Sequence, residues 1–189
     1  MPGWRGCISR IQGVQPLDCI KMVAAMNPCK CGYYPDRNRC SCSAREVKRY
    51  LNHISQPLLD RIDICVEAEP VLYDELKNLT EEESSAQIRT RVTQAQQIQQ
   101  LRYQGTGFRF NSDLNVTAIR KYCFLGKEEE DLMREAFEKL NLTARSYSRI
   151  LKVARTIADL AGKENISTAH LGEAVCYRAL DKKYWIDRM

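Results

Sequence analysis

Cys29, Cys31, Cys40 and Cys42 carry the clearest chemistry in this chain, arranged as C-x-C-x8-C-x-C. Four thiolates gathered by one short loop could close a tetrahedral zinc site, because zinc favours sulfur and asks for nothing beyond four-coordination. All four positions would be filled by protein, so such an ion would be structural. The two pairs are tighter than the common C-x2-C spacing, and four reduced thiols on a surface loop fit it as well. Asp36, Arg37, Asn38 and Arg39 lie between the pairs. A loop of that composition has little to hold it. A metal would order it, and its binding energy would become local folding energy.

Three other places hold residues able to do chemistry. Asn27 ends the apolar run Val23-Ala24-Ala25-Met26. A polar residue there can stand at the carboxyl edge of a buried strand, where open α/β folds bind ligands, or it can cap the Asn-Pro turn that follows. Asp60-Arg61 sits between two leucines and a strand-like segment. Its guanidinium can reach a phosphate with two parallel hydrogen bonds, or form an ordinary ion pair within the chain. Arg145, Arg149 and Lys152 fall at i, i+4 and i+7 on one helix face. They could face an anion such as a triphosphate or form a solvated basic stripe. His53 and His170 have no neighbour suggesting catalysis or metal binding. The sequence has no Ser/His/Asp set, no paired carboxylates and no glycine-rich phosphate loop.

The elements that must position these residues follow from pattern. Residues 20–26 form the short apolar run of a buried parallel strand. Residues 28–43 are the cysteine loop. From Ser43 to Asn52 the pattern is helical, with Ser43 and Glu46 in capping-box spacing and Val47, Tyr50 and Leu51 on one face. Residues 62–68 alternate with period two and read as a second strand. An acidic linker is expected over 74–83. Helices are then expected at about 84–104, 113–124, 127–140, 144–161 and 167–180, with Ser167 capping the last and Gly162 ending the one before. In helix 144–161, Ile150, Val153, Ala154, Ile157 and Ala161 share the face that should be core. The change from strand-helix-strand to all helix places a domain boundary at residues 70/71.

Composition narrows the class. Of 189 residues, 44% are hydrophobic and 28% charged, which fits a globular chain rather than a disordered one. A net charge of +5 permits nucleic-acid contact without demanding it. No apolar run is long enough for a membrane helix, and residues 1–6 lack the apolar core of a signal peptide, so a cytoplasmic location without membrane contact is expected. Nine scattered cysteines suit a reducing compartment, with Cys65, Cys123 and Cys176 expected as small core hydrophobes.

Three stretches together carry a resemblance. They are Val23-Ala24-Ala25-Met26-Asn27-Pro28-Cys29-Lys30-Cys31-Gly32, Pro57-Leu58-Leu59-Asp60-Arg61-Ile62-Asp63, and the segment from Thr143 to Leu160; Phe108 to Leu114 adds an R-x-N-x-x-L pattern. In order and spacing they resemble the C-terminal half of AAA+ ATPases of the magnesium-chelatase-like group, on the side of the ComM (YifB) type competence proteins. The likeness covers about residues 8–180.

The resemblance implies a mostly α chain: an α/β remnant of an AAA+ core over 1–70, then an all-α helical lid bundle after a linker over 71–189. It implies Asn27 as sensor 1, polarising the attacking water near the γ-phosphate. Arg61 matches the arginine finger offered to a neighbouring subunit's ATP, with Asp60 orienting it, and Arg145 matches the nucleotide-sensing arginine of the lid. It gives Arg149 no role. It implies a homo-oligomeric ring, a hexamer, that hydrolyses ATP with Mg²⁺ and drives motion on DNA in transformation or recombination. The phosphate loop G-x-x-x-x-G-K-[ST] and the acidic strand that holds Mg²⁺ are absent from the sequence. The chain therefore reads as a C-terminal portion that is catalytically inactive alone, with ATP and Mg²⁺ belonging to the full-length protein. Two other classes fit the residues: a zinc-containing module contacting nucleic acid through the basic stretch 36–61, and a chelatase-like subunit remodelling a protein partner.

Overall fold

The computed structural model describes residues 22–68 and 83–185. The irregular N-terminus expected over 1–19, and the acidic linker apart from Glu83, lie outside the described residues. The chain divides into two compact units, Met1–His53 and Ile54–Met189.

In the first unit the cysteine loop runs into α1 (Ala44–Leu51). The capping box forms as expected: the Ser43 N–H donates to Glu46 Oε2 at 2.9 Å and the Glu46 N–H to Ser43 Oγ at 3.3 Å. Lys48 and Arg49 in the last turn complement the negative end of the helix dipole. Val47 and Leu51 are buried, one helical turn apart.

The second unit is helical. A single turn, α2 (Gln56–Leu59), precedes α3 (Ser85–Arg102), a 3-10 turn at Asn111–Asp113, α4 (Val116–Tyr122), α5 (Lys127–Lys139), α6 (Ala144–Leu160) and α7 (Thr168–Trp185). The five helices expected after residue 83 all form, and the last runs on to Trp185 rather than ending at 180. The start of 113–124 also differs: Asn115 turns extended and caps α4 by accepting from the Ala118 N–H at 2.9 Å. Helix α6 is central, packing on α7, α3 and α4. Ala154 and Ala158 are fully buried on it, and such small side chains let Leu171 and Ala174 of α7 approach closely. Ile119, Met133, Ile150 and Leu151 complete the core.

Two helix ends are closed by Schellman turns. After α5, Asn141 takes φ 45° and the Leu142 N–H bonds to the Phe137 carbonyl at 3.1 Å. After α6, Gly162 takes φ 64° and the Lys163 N–H bonds to the Ala158 carbonyl at 2.8 Å. Gly162 thus ends α6, as its position suggested. Ser167 precedes α7 with His170 in the role a glutamate plays in a capping box: the Ser167 N–H donates to His170 Nδ1 at 3.1 Å. His170 therefore has a structural task that its isolation in sequence concealed.

Both expected strands are corrected. The described part of the first, Met22 to Met26, is exposed and not a strand, with Val23 92% accessible. Residues 62–68 are also not a strand; the Cys65 N–H donates to the Tyr177 carbonyl of α7 at 3.1 Å. A strand needs neighbouring strands to satisfy its N–H and C=O groups, and none is formed among the described residues. The chain is accordingly mostly α, with no sheet there. Ala161 and Cys176, expected in the core, are exposed, while Cys123 is buried and Cys65 half-buried as small apolar side chains can be.

Candidate functional site

The cysteine loop converges. The Sγ atoms of Cys29, Cys31, Cys40 and Cys42 all lie within 4.8 Å of one another. Cys29 to Cys31 is 3.3 Å, Cys31 to Cys40 3.5 Å and Cys29 to Cys40 3.8 Å. Tetrahedral zinc with Zn–S bonds of about 2.3 Å requires sulfurs about 3.8 Å apart, so the donor set fits such an ion in type, number and spacing. A hydrogen bond from the Tyr33 backbone, aided by the Cys29 thiol, lowers the Cys31 thiol to about 6. Burial pushes Cys40 up to about 11. Four clustered thiols cannot all ionise without a cation among them, and a divalent ion supplies that charge.

Local turns build this cluster. The Gly32 N–H returns to the Cys29 carbonyl at 3.2 Å, with Gly32 at φ 86°, which is easy only for glycine. The Tyr34 N–H donates to Cys29 Sγ at 3.4 Å. A Cβ on Gly32 would stand 3.4 Å from Asn27 Nδ2, so the exposed Asn27 side chain lies against the first cysteine turn. Between the pairs, Arg39 stacks over the Tyr33 ring at 4.2 Å and Arg37 over Tyr34 at 5.0 Å.

In the second unit, Asp60 and Arg61 sit just after α2. The Arg61 N–H closes a turn onto the Leu58 carbonyl at 2.9 Å, and the Ile62 N–H onto that of Leu59 at 3.0 Å. The Arg61 side chain is exposed and donates from Nη1 to the Pro57 carbonyl at 2.9 Å. One such exposed bond is worth about 1 kcal/mol, a small restraint on a guanidinium that must reach outward. The Asp60 carboxylate accepts from Arg178 Nη2 at 3.4 Å.

The basic face of α6 divides. Arg149 pairs with Asp63, and Lys152 Nζ donates to the Ser112 carbonyl at 2.7 Å. Both are tied into the bundle and do not form a common stripe with Arg145, which stays exposed in the first turn of α6. Burial lowers the Lys152 ammonium below its ordinary range.

Sequence reasoning missed two buried polar groups. Asp159, 1% exposed, accepts two parallel bonds from Arg102, at 2.9 and 2.5 Å, one from Arg155 Nε at 3.1 Å and one from Asn111 Nδ2 at 2.9 Å. Asn111 also donates to Thr156 and accepts from the Tyr103 hydroxyl at 2.6 Å, while Gln99 accepts the Asn111 N–H at 3.0 Å. Arg155 further donates to the Lys163 and Glu164 carbonyls, each at 2.6 Å. Buried charges persist when every member is bonded in this way. The second group is Arg178, 1% exposed, whose contacts reach Leu59, Asp60, Ile62 and Ser146. The available signal was the R-x-N-x-x-L pattern holding Asn111, and Arg155 and Asp159 at i, i+4 beside the buried residues of α6.

Residues 82–178 match the family described as magnesium chelatase, subunit ChlI C-terminal, and residues 7–76 match magnesium chelatase, subunit ChlI. The chain belongs to the magnesium chelatase ChlI family. Competence protein ComM of Haemophilus influenzae is 39% identical over 162 residues, covering 85% of this chain and 31% of that protein. The YifB proteins of Salmonella typhimurium and Escherichia coli are 37% and 38% identical over 166 residues, each covering 86% of this chain and 31% of the relative. The chain thus spans about a third of the length of these curated relatives. Asn27, the four cysteines, Asp60 and Arg61 fall in the match over residues 7–76 and Arg145 in the match over residues 82–178. Among the described residues no helix is long and apolar enough to cross a membrane.

Proposed function

We propose that the chain supplies the sensing and trans-acting parts of a chelatase-like AAA+ ring ATPase. Arg61 is the finger offered to the ATP of a neighbouring subunit, Asn27 polarises the attacking water, and Arg145 reads the nucleotide from the helical lid. The domain division of the proposal is a core portion to residue 70 and a lid from residue 71. The observation that carries this reading is Arg61: an exposed guanidinium on a turn whose backbone is held from a buried arginine, within a ChlI-family chain. A rigid mount with a mobile tip is what a residue acting across an interface requires.

The cysteine loop holds structural zinc through Cys29, Cys31, Cys40 and Cys42, and the ion's contribution is to fix the loop. Full-length subunits form a homo-oligomeric ring, a hexamer, in the cytoplasm, binding ATP and Mg²⁺ and moving on DNA; the likeness to a competence protein supports that substrate. This chain alone, with no phosphate-loop pattern, turns over no ATP. A second reading, nucleic-acid contact by the cysteine loop itself, is favoured by Arg39 stacked on the exposed Tyr33 and Arg37 on the half-buried Tyr34.

Mixed rings test the main reading. In full-length subunits Arg61→Ala is expected to lower kcat by roughly 10³-fold or more while ATP binding persists. Mixing these subunits with ones lacking the phosphate-loop lysine should restore part of the activity, because some interfaces then pair an intact pocket with an intact finger. No recovery would show that Arg61 does not act in trans.

A further inference from the structure

Arg178 lies in α7, far in sequence from Arg61, yet its guanidinium encloses the Arg61 turn. Nη1 donates to the Leu59 carbonyl at 3.0 Å and to the Ile62 carbonyl at 2.7 Å, the residues on either side of Asp60-Arg61. Nη2 reaches Asp60 Oδ1 and Ser146 Oγ, both at 3.4 Å. Arg178 is 1% exposed. Further along the chain, Arg149 pairs with Asp63 and the Cys65 N–H bonds to the Tyr177 carbonyl, so the segment after Arg61 is also laid onto α6 and α7.

We infer that Arg178 is the positioning residue of Arg61, fixing the backbone on both sides of it from the far end of the helical bundle so that only the Arg61 side chain moves. This rests on the assignment of Arg61 as the finger. The chemistry is specific to arginine. A planar fork can serve two carbonyls with one nitrogen and a carboxylate and a hydroxyl with the other. A lysine keeps the charge and loses the fork. Because Nη2 meets both Asp60 and Ser146, the residue after Arg145, the same side chain links the finger turn to the start of α6. A shift of the lid helices would then be felt at Arg61 without any contact between Arg61 and those helices.

The test uses full-length rings carrying Arg61→Ala, Arg178→Lys, or both, with kcat, KM for ATP, ring assembly and melting measured on each. Arg178→Lys is expected to lower kcat roughly 10- to 100-fold, the effect of a misplaced catalytic group, with KM little changed. The double variant should lose no more than Arg61→Ala alone, since residue 178 acts only through residue 61. Arg178→Lys subunits should also be rescued in mixed rings by subunits lacking the phosphate-loop lysine. If Arg61→Ala leaves kcat intact, the finger assignment fails and this inference with it. If Arg61→Ala cripples turnover while assembled Arg178→Lys rings retain wild-type kcat, or if the two losses multiply, the finger stands and the positioning role is overturned. Should the Lys variant fail to assemble, Arg178→Gln carries the same comparison. Failure of both to assemble would mean that residue 178 holds the fold rather than the finger, which also overturns it.

Discussion

The cysteine unit and the helical unit solve the same problem in opposite ways. Both hold charge or potential charge in partly buried positions. The helical unit neutralises Asp159 internally, with Arg102, Arg155 and Asn111 filling its acceptor sites over an apolar core. The cysteine unit gathers four thiols but buries little else among its described residues: Cys29, Val47 and Leu51. One region carries its own counter-ions; the other offers four donors that could hold one. Stability in the first should follow side-chain packing, and in the second the presence of a metal.

Removing metal should give the largest effect and should be confined to one unit. Structural zinc is worth about 10–16 kcal/mol in small zinc-finger peptides. Purified chain is expected to carry one zinc, and stripping it with a strong chelator should abolish amide protection over residues 28–43 while leaving that of α6 and α7 unchanged. Metal analysis with hydrogen exchange checks this; protection of the loop in metal-free protein would break the contrast.

Asp159→Ala should be the most damaging single change in the helical unit. It removes the carboxylate that buried Arg155 and half-buried Arg102 share, a loss of about 3–5 kcal/mol, read as a lowered urea midpoint. Zinc content should not change. A loss below 1 kcal/mol would mean that water reaches those arginines.

Matched leucine truncations sharpen the comparison. Leu171→Ala should cost about 2–5 kcal/mol in the helical transition, because Leu171 is fully buried against α6. Leu51→Ala should leave that transition in place and instead raise exchange in α1. Equal shifts of one common transition would show that the units unfold together.

The smallest effect is a gain. Asn141→Gly relieves a side chain from φ 45° and should stabilise the helical unit by about 0.5 kcal/mol in the same urea assay.

Much of this was legible because it is local. Ser43 and Glu46 are three residues apart, and the four thiols lie within one loop, so spacing alone brings them together. Helices α3 to α7 announce themselves by period and by Gly162 or Ser167 at their ends. The apolar runs at 20–26 and 62–68 misled because a strand is a property of its neighbours, and period two records only which side chains alternate. The Arg102 arm of the Asp159 network and the Arg178 clasp were illegible for a related reason. Arg102 is 57 residues from Asp159 and Arg178 is 118 from Asp60, and no one-dimensional pattern marks such partners.

The α6–α7 hairpin is fastened at both ends by a buried arginine. Near the turn, Arg155 of α6 grips the Lys163 and Glu164 carbonyls; at the open end, Arg178 of α7 holds Ser146 of α6. A pair of rods pinned at one end can slide past each other, whereas a pair pinned at both resists shear. Load applied to either helix is therefore shared along the whole length, and the hairpin behaves as a single stiff beam with the Arg61 turn mounted at its tip.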